Sequence, residues 1–162
     1  MGQTVSNVRT KLWNASGSEL MTILHLGVID IPYSDKASIS TGDVAEILES
    51  KYAVMENFAE LHHDDIESAL VDSIEGAIEN IMSGSPVSND MFGDATNKIE
   101  ELFKFEFLEK EEMATIGVPG VPTQASIDRK SSRFKGKKTN TGRPSFIDTG
   151  EYSAAMKAWI EQ

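Results

Sequence analysis

The chain contains no cysteine. That excludes disulfides, thiol nucleophiles and every cysteine-bearing zinc site, and it suits a reducing compartment. Long apolar runs are missing too: none approaches the roughly 20 residues that a membrane-spanning helix needs. The opening MGQTVSNVRTKLW lacks the apolar centre of a signal peptide. Its first six residues do fit the short myristoylation pattern, but an ordinary start is the expected reading, and no membrane partner is expected. Also absent are a phosphate-binding glycine loop, a serine nucleophile elbow and any internal repeat. Proline is sparse, yet three of the five, Pro119, Pro122 and Pro144, fall in the last third of the chain.

Positive charge is in deficit: 15 Lys and Arg stand against 26 Asp and Glu, a formal net charge of −11. The imbalance is uneven. Residues 1–124 carry 22 acids and 7 cations, a net of −15, whereas residues 125–162 carry 4 acids and 8 cations, a net of +4. An acidic body is ill suited to grip nucleic acid, because phosphate contacts need cations. A basic tail on such a body favours packing against an acidic surface, its own or that of a neighbouring copy.

What is present is enough for one domain. A chain of 162 residues can bury roughly 70% of the surface it exposes when unfolded, so it needs neither metal nor disulfide to fold. The expected class is α+β: a small antiparallel sheet packed against about three helices, with an extended C-terminal arm and a short terminal helix. The β-branched run Ile23, Leu24, Leu26, Val28, Ile29 and Ile31 marks a strand near 20–31. Gly27 suggests a bulge or a close backbone approach.

Helices are expected near 42–61, 65–83 and 94–114. The first starts at Ser40 or Thr41 with Asp43 in its first turn, and Val44, Ile47, Leu48, Tyr52, Met55 and Phe58 keep its stripe. For the second, Asp64 with Glu67 has the spacing of a capping box, Ile66, Ala69, Leu70, Ile74, Ala77, Ile78 and Ile81 make its buried face, and Gly84 with Pro86 stops it. In the third, Ile99, Leu102, Phe103, Phe107 and Leu108 point inward, while Phe105 and Met113 fall off the stripe and suit either a wider core or a subunit contact. The units are therefore a body over 1–117, an extended basic arm over 118–149 and a short docking helix over 150–162. The arm has too little apolar surface to offset its ordering entropy alone, so its order must come from packing. Removing 118–162 is expected to leave the helical body folded.

Three groups of residues could carry chemistry. His62-His63-Asp64-Asp65 has metal-capable side chains, but adjacent histidines point apart and zinc wants converging ligands; no metal is expected. Glu100, Glu101, Glu109, Glu111 and Glu112 read as the solvated face of a helix rather than an acid–base pair. The basic run Arg129, Lys130, Arg133, Lys135, Lys137, Lys138 and Arg143, with Phe134 inside it, could follow a nucleic-acid backbone. Given the acidic body, an arm that bridges to acidic neighbours is favoured. Neither an enzyme nor a cofactor is expected.

The same tail carries a resemblance. Gly117-Val118-Pro119 with Val121-Pro122-Thr123, the cationic run, Arg143-Pro144-Ser145-Phe146-Ile147-Asp148-Thr149-Gly150-Glu151-Tyr152 and Ala158-Trp159-Ile160 resemble the neck and tail-completion proteins of tailed bacteriophages. These join the capsid connector to the tail. Leu26-Gly27-Val28, Tyr33, Asp43-Val44-Ala45 and Leu48-Glu49 fit the upstream part of the pattern. Asp148-Thr149-Gly150 is also the aspartic-protease triplet, but that enzyme needs a β-rich fold and a second aspartate.

The resemblance implies a virion protein with a mechanical role: a ring of identical subunits, six or twelve, assembled in the host cytoplasm and set between connector and tail proteins. DNA would pass through its lumen without sequence-specific binding. Arg129, Lys130, Arg133, Phe134, Lys135, Lys137, Lys138, Arg143, Phe146, Asp148, Tyr152 and Trp159 would form the subunit interface. A tail-terminator ring capping the tail tube is the alternative within the class. An acidic DNA mimic that inhibits a host nucleic-acid enzyme is the alternative outside it.

Overall fold

The computed structural model describes residues 5–13, 19–33, 36–129 and 143–161, and it is an α+β protein. Strand β1 (Val5–Trp13), strand β2 (Glu19–Val28) and strand β5 (Met156–Glu161) form an antiparallel sheet in the order β1-β2-β5. Strands β3 (Pro32–Tyr33) and β4 (Lys36–Ser40) make a separate two-stranded piece. The β-branched stretch is therefore the central strand. It pairs with its sequence neighbour on one side and with the C-terminal residues on the other. No bulge forms at Gly27: the ladders run through it without a shift, to Val5 on one flank and Lys157 on the other.

Leu24, Leu26 and Val28 stand directly opposite Ile160, Ala158 and Met156, and these six residues of β2 and β5 pack into the core. Alternate residues of a strand share a face, so this pairing also explains a difference from expectation at the C-terminus. Helix α7 covers only Glu151–Ala155, and from Met156 the chain is a strand. Tyr152, Ala155, Met156, Trp159 and Ile160 have helical spacing, but a period of two over 156–160 fits the open edge of β2. Pairing there satisfies backbone groups that a frayed terminal helix would leave to water.

Helix α1 (Thr41–Tyr52) begins on a capping box in which the Ser40 hydroxyl accepts from the Asp43 amide and the Asp43 carboxylate accepts from the Ser40 amide. Its start is pinned to the chain after β2: the Thr41 hydroxyl donates to the Ile29 carbonyl at 2.6 Å and the Gly42 amide donates to Asp30. A Cβ on Gly42 would lie 2.7 Å from Asp30 Oδ1, so this close approach requires glycine. The single helix expected over 42–61 is two. Ala53 adopts a left-handed conformation (φ 49°), and helix α2 (Val54–Leu61) starts beyond it. The Glu49 carboxylate accepts from the Met55 amide at 2.8 Å and from Glu56 at 3.3 Å, which supplies α2 with the cap its sequence lacks.

Helix α3 (His63–Met82) starts before Asp64, which therefore lies in its first turn, and no side chain caps it. The Asp64–Glu67 capping box does not form; the two acids still favour the helix start through its dipole. Gly84 takes a left-handed conformation beyond the end, as its place after the stripe predicts. The third helix is also divided, into α4 (Gly93–Glu101), a π-helical segment (Leu102–Glu109) and α5 (Glu112–Thr115). Glu111 is left-handed at φ 53° before α5.

The core lies between the sheet and these helices. Phe58, Phe103 and Phe107 are fully buried, and Phe58 meets the other two rings edge-on at centroid distances of 5.1 and 5.4 Å. His62 closes the cluster. It is turned inward, with Nδ1 3.0 Å from Asp65 and Nε2 2.7 Å from Glu112; both contacts are hydrogen bonds at once only when the ring carries two protons. Met113 is buried with this core, whereas Phe105 is exposed. Truncating a fully buried aromatic leaves a cavity, so Phe58→Ala should cost about 3–5 kcal/mol in urea unfolding. Phe105→Ala should stay within about 0.5 kcal/mol. Equal losses for the two would mean that the aromatic cluster is wrongly placed.

Candidate interface

Of the residues expected to form the subunit interface, Lys130, Arg133, Phe134, Lys135, Lys137 and Lys138 lie outside the described residues. The flanking parts of the 118–149 stretch are described, and they pack on the body. Helix α6 (Gln124–Ile127) starts on Thr123, whose hydroxyl accepts from the Ser126 amide. Arg129 follows it, exposed and left-handed at φ 55°. The Ser126 hydroxyl donates to the Arg143 carbonyl at 2.6 Å, and the Thr123 amide donates to Ser145 Oγ at 3.0 Å. The two segments that flank the cationic stretch thus meet each other.

Ser145 is the buried centre of this junction. Its amide and its hydroxyl both donate to Glu111 Oε1, at 2.8 and 2.6 Å. Arg143 donates to the Ile147 carbonyl at 3.0 Å and lies 3.9 Å from the Asp148 carboxylate. Phe146 is half-buried and meets Tyr52 of α1 edge-on at 5.2 Å. Tyr152 is buried against Phe103, and Trp159 stacks on His25 across the strands, 5.2 Å between centroids and 8° from parallel. Phe146, Tyr152 and Trp159 therefore anchor the tail to its own body.

Burial raises the Tyr152 phenol far above the ordinary tyrosine range, with smaller contributions from the nearby charge of Glu49 and from Tyr33. Tyr33 is raised as well, by burial first and then by Glu151 and Asp148.

Three acids expected on a solvated helix face do structural work instead. Glu100 is buried and accepts from Lys157 Nζ at 2.7 Å and from the Ala158 amide at 3.2 Å. It thereby blocks the outer edge of β5, which would otherwise be open to strand addition. Glu111 holds Ser145, and Glu112 holds His62. Helical period shows which residues leave the apolar stripe, but not what a distant segment will bring to meet them. No local signal in the sequence marks these contacts.

Among the described residues, two larger apolar surfaces face outward. The first is a groove of about 540 Å³ between α1 and residues 143–152, floored by Val44, Ile47, Leu48, Tyr52, Phe146 and Tyr152. The exposed Lys51 and the half-buried Arg143 border it, as do Asp148 and Glu151. The second is the outer side of α3, where Val71, Ile78, Ile81 and Met82 are 38%, 49%, 66% and 83% exposed beside the half-buried Ile74. Spaced three and four apart, they form one stripe. Ile78 and Ile81, expected on the buried face, lie outside it, and Ile66, Ala69, Leu70 and Ala77 form that face. Near the start of α3, ligand atoms of His63, Asp64 and Glu67 lie within 4.8 Å of one another, all exposed. His62 faces away from them, toward Asp65 and Glu112.

Comparison of the chain with protein-family models, with curated proteins and with solved structures returned no match.

Two predictions follow from the way the tail is anchored. Because the folded-state pKa of Tyr152 lies above its unfolded value, its contribution is intact below about pH 10 and declines as pH rises further. The unfolded chain then ionises while the buried phenol stays neutral, at a cost approaching about 1.4 kcal/mol per pH unit. Tyr152→Phe should move the alkaline unfolding midpoint upward in a circular-dichroism pH titration; an unchanged midpoint would place the hydroxyl in water. Ending the chain at Ala155 removes β5 and opens the edge of β2. That variant should lose its cooperative thermal transition and aggregate, contrary to the expectation that the body folds without its tail. A sharp melt near that of the full chain would show β5 to be dispensable.

Proposed function

We propose that this chain is a structural subunit of a tailed-phage virion. It forms a ring at the neck or tail-completion position, joins the capsid connector to the tail and lets DNA pass. It carries out no chemistry in this role. The resemblance of 143–152 to the phage head–tail joining proteins supplies the class.

The observation that carries the reading is the division of charge. Between Arg129 and Arg143 the sequence holds seven cations, namely Arg129, Lys130, Arg133, Lys135, Lys137, Lys138 and Arg143, and no acid. Both ends of that stretch are fastened to a body whose remaining residues are strongly acidic. Its natural counter-charge is the acidic surface of another copy. A contact between two different patches, repeated by rotation, closes a ring. An acidic lumen would repel DNA and let it slide.

Negative-stain images and sedimentation of the purified protein test this. The expected result is a ring of six or twelve copies with a central hole. Changing Lys130, Arg133, Lys135, Lys137 and Lys138 to Glu should release monomers with unchanged far-UV circular dichroism. A wild-type protein that sediments as a monomer at every concentration, or a charge-reversed variant that still forms rings, overturns the reading.

A further inference from the structure

Helix α3 leaves part of its own apolar period uncovered. On a helical projection Val71, Ile74, Ile78, Ile81 and Met82 form one band, and all but the half-buried Ile74 are exposed. One side of the band runs into the buried face of Ile66, Leu70 and Ala77. The other side is bordered by Glu75 and Glu79, while Asp64 and Glu67 lie along its N-terminal end. From Val71 to Met82 the band extends over roughly 16 Å, about three turns. A contiguous apolar patch of this kind on a protein surface marks an interaction site.

The border decides what can cover it. Helix α3 holds six acids and neither lysine nor arginine. Lys98 engages Asp72, on the far side of Glu75 and Glu79 from the band. Among the described residues, nothing pairs with Glu67, Glu75 or Glu79. A second α3 would set acid against acid. An anionic membrane surface or a nucleic acid is repelled in the same way. The chain's own cationic stretch has the right sign, but Phe134 is the single apolar residue between 130 and 142, too little to cover five apolar side chains.

We propose that the outer face of α3 docks a basic amphipathic helix of a different protein. A straight band on a convex helix is matched by the stripe of another helix, ridges into grooves. The partner's apolar residues lie along Ile74, Ile78 and Ile81, and its lysines or arginines meet Glu75 and Glu79 on one border and Glu67 at the end. Met82, unbranched and flexible, adapts to the partner's side chains. The charge of α3 selects the partner, and the isoleucines supply the buried area. This contact stands or falls apart from the ring reading.

A fluorescent synthetic helix tests it, with leucines spaced three and four apart and lysines flanking them. Binding to the full chain is read by anisotropy. A twin helix with glutamates in place of the lysines reads the charge, and phosphatidylserine vesicles read the membrane alternative. The lysine helix should bind saturably, and the twin and the vesicles should not. Ile78→Asp, or Glu75→Lys with Glu79→Lys, should each weaken that binding by about tenfold or more. All three positions are exposed, so far-UV circular dichroism should match wild type. The charge pair alters no apolar residue, so it tests the border even where Ile78→Asp disturbs the helix.

A lysine helix that fails to bind, or binding that survives either variant, overturns the proposal. Equal binding of the two synthetic helices removes the charge argument and overturns it too. Vesicle binding that Ile78→Asp abolishes would give the band to a membrane. Assemblies of the wild-type chain that Ile78→Asp dissolves in sedimentation would give it to a second copy. Either result overturns the assignment.

Discussion

The structure depends on one long-range pairing, that of β2 with β5. Residues 23–28 meet residues 156–161, across more than a hundred positions of sequence. Closing so long a loop costs conformational entropy that grows only slowly with length, so the contact is sustained by what it buries. Ala155, Met156 and Ala158 enter the core with Tyr152, and the Ile29 amide extends the ladder to the Ala155 carbonyl at 2.8 Å. Glu100 then completes the outer edge by accepting from Ala158. With the last strand held in this way, residues 143–152 have a fixed downstream end. Glu111 can then hold Ser145 and Tyr52 can receive Phe146.

Much of the scaffold was legible. Ser40 and Asp43 announce the start of α1 because a capping box is a local arrangement. The apolar period of α3 and the stop at Gly84 likewise need no information from elsewhere in the chain, but which part of that period is covered does: Ile66 and Leu70 are buried, whereas Ile78 and Ile81 are exposed. The central strand shows itself because β-branched and apolar residues cluster there at strand length and end at Pro32.

The missed features are of another kind. Nothing next to Ala53 in sequence announces a left-handed residue; the break is stabilised by the Glu49 carboxylate capping the helix that follows. In the last segment, Tyr152 to Ile160 satisfies the helical and the strand period at once over its few residues, and the open edge of β2 decides between them. Six of the expected interface residues lie outside the described residues, whereas the three aromatics Phe146, Tyr152 and Trp159 fasten the tail to its own body. The segments flanking the arm are thus anchored to the chain's own body, where composition left open whether its own surface or a neighbouring copy would order it.

The acidic composition divides into two populations with different physical roles. Glu49, Glu100, Glu111 and Glu112 are turned to the chain itself, where they accept from amides, a serine, a lysine and a histidine. Such donors satisfy oxygens that would otherwise be costly to take out of water. These acids contribute to the fold and little to the outer field. The acids of α3 are all exposed, although Asp65 meets His62, Asp64 meets His63 and Asp72 meets Lys98, and they define the surface a partner would meet.

A like-charged surface of this sort repels its own copies in nearly every orientation, and the repulsion extends over a Debye length of about 8–10 Å at physiological salt. Any stable contact between copies must therefore bring counter-charge to this surface or bury enough apolar area to outweigh the repulsion. Face-to-face pairing of α3 with itself brings no counter-charge, because the helix holds six acids and neither lysine nor arginine.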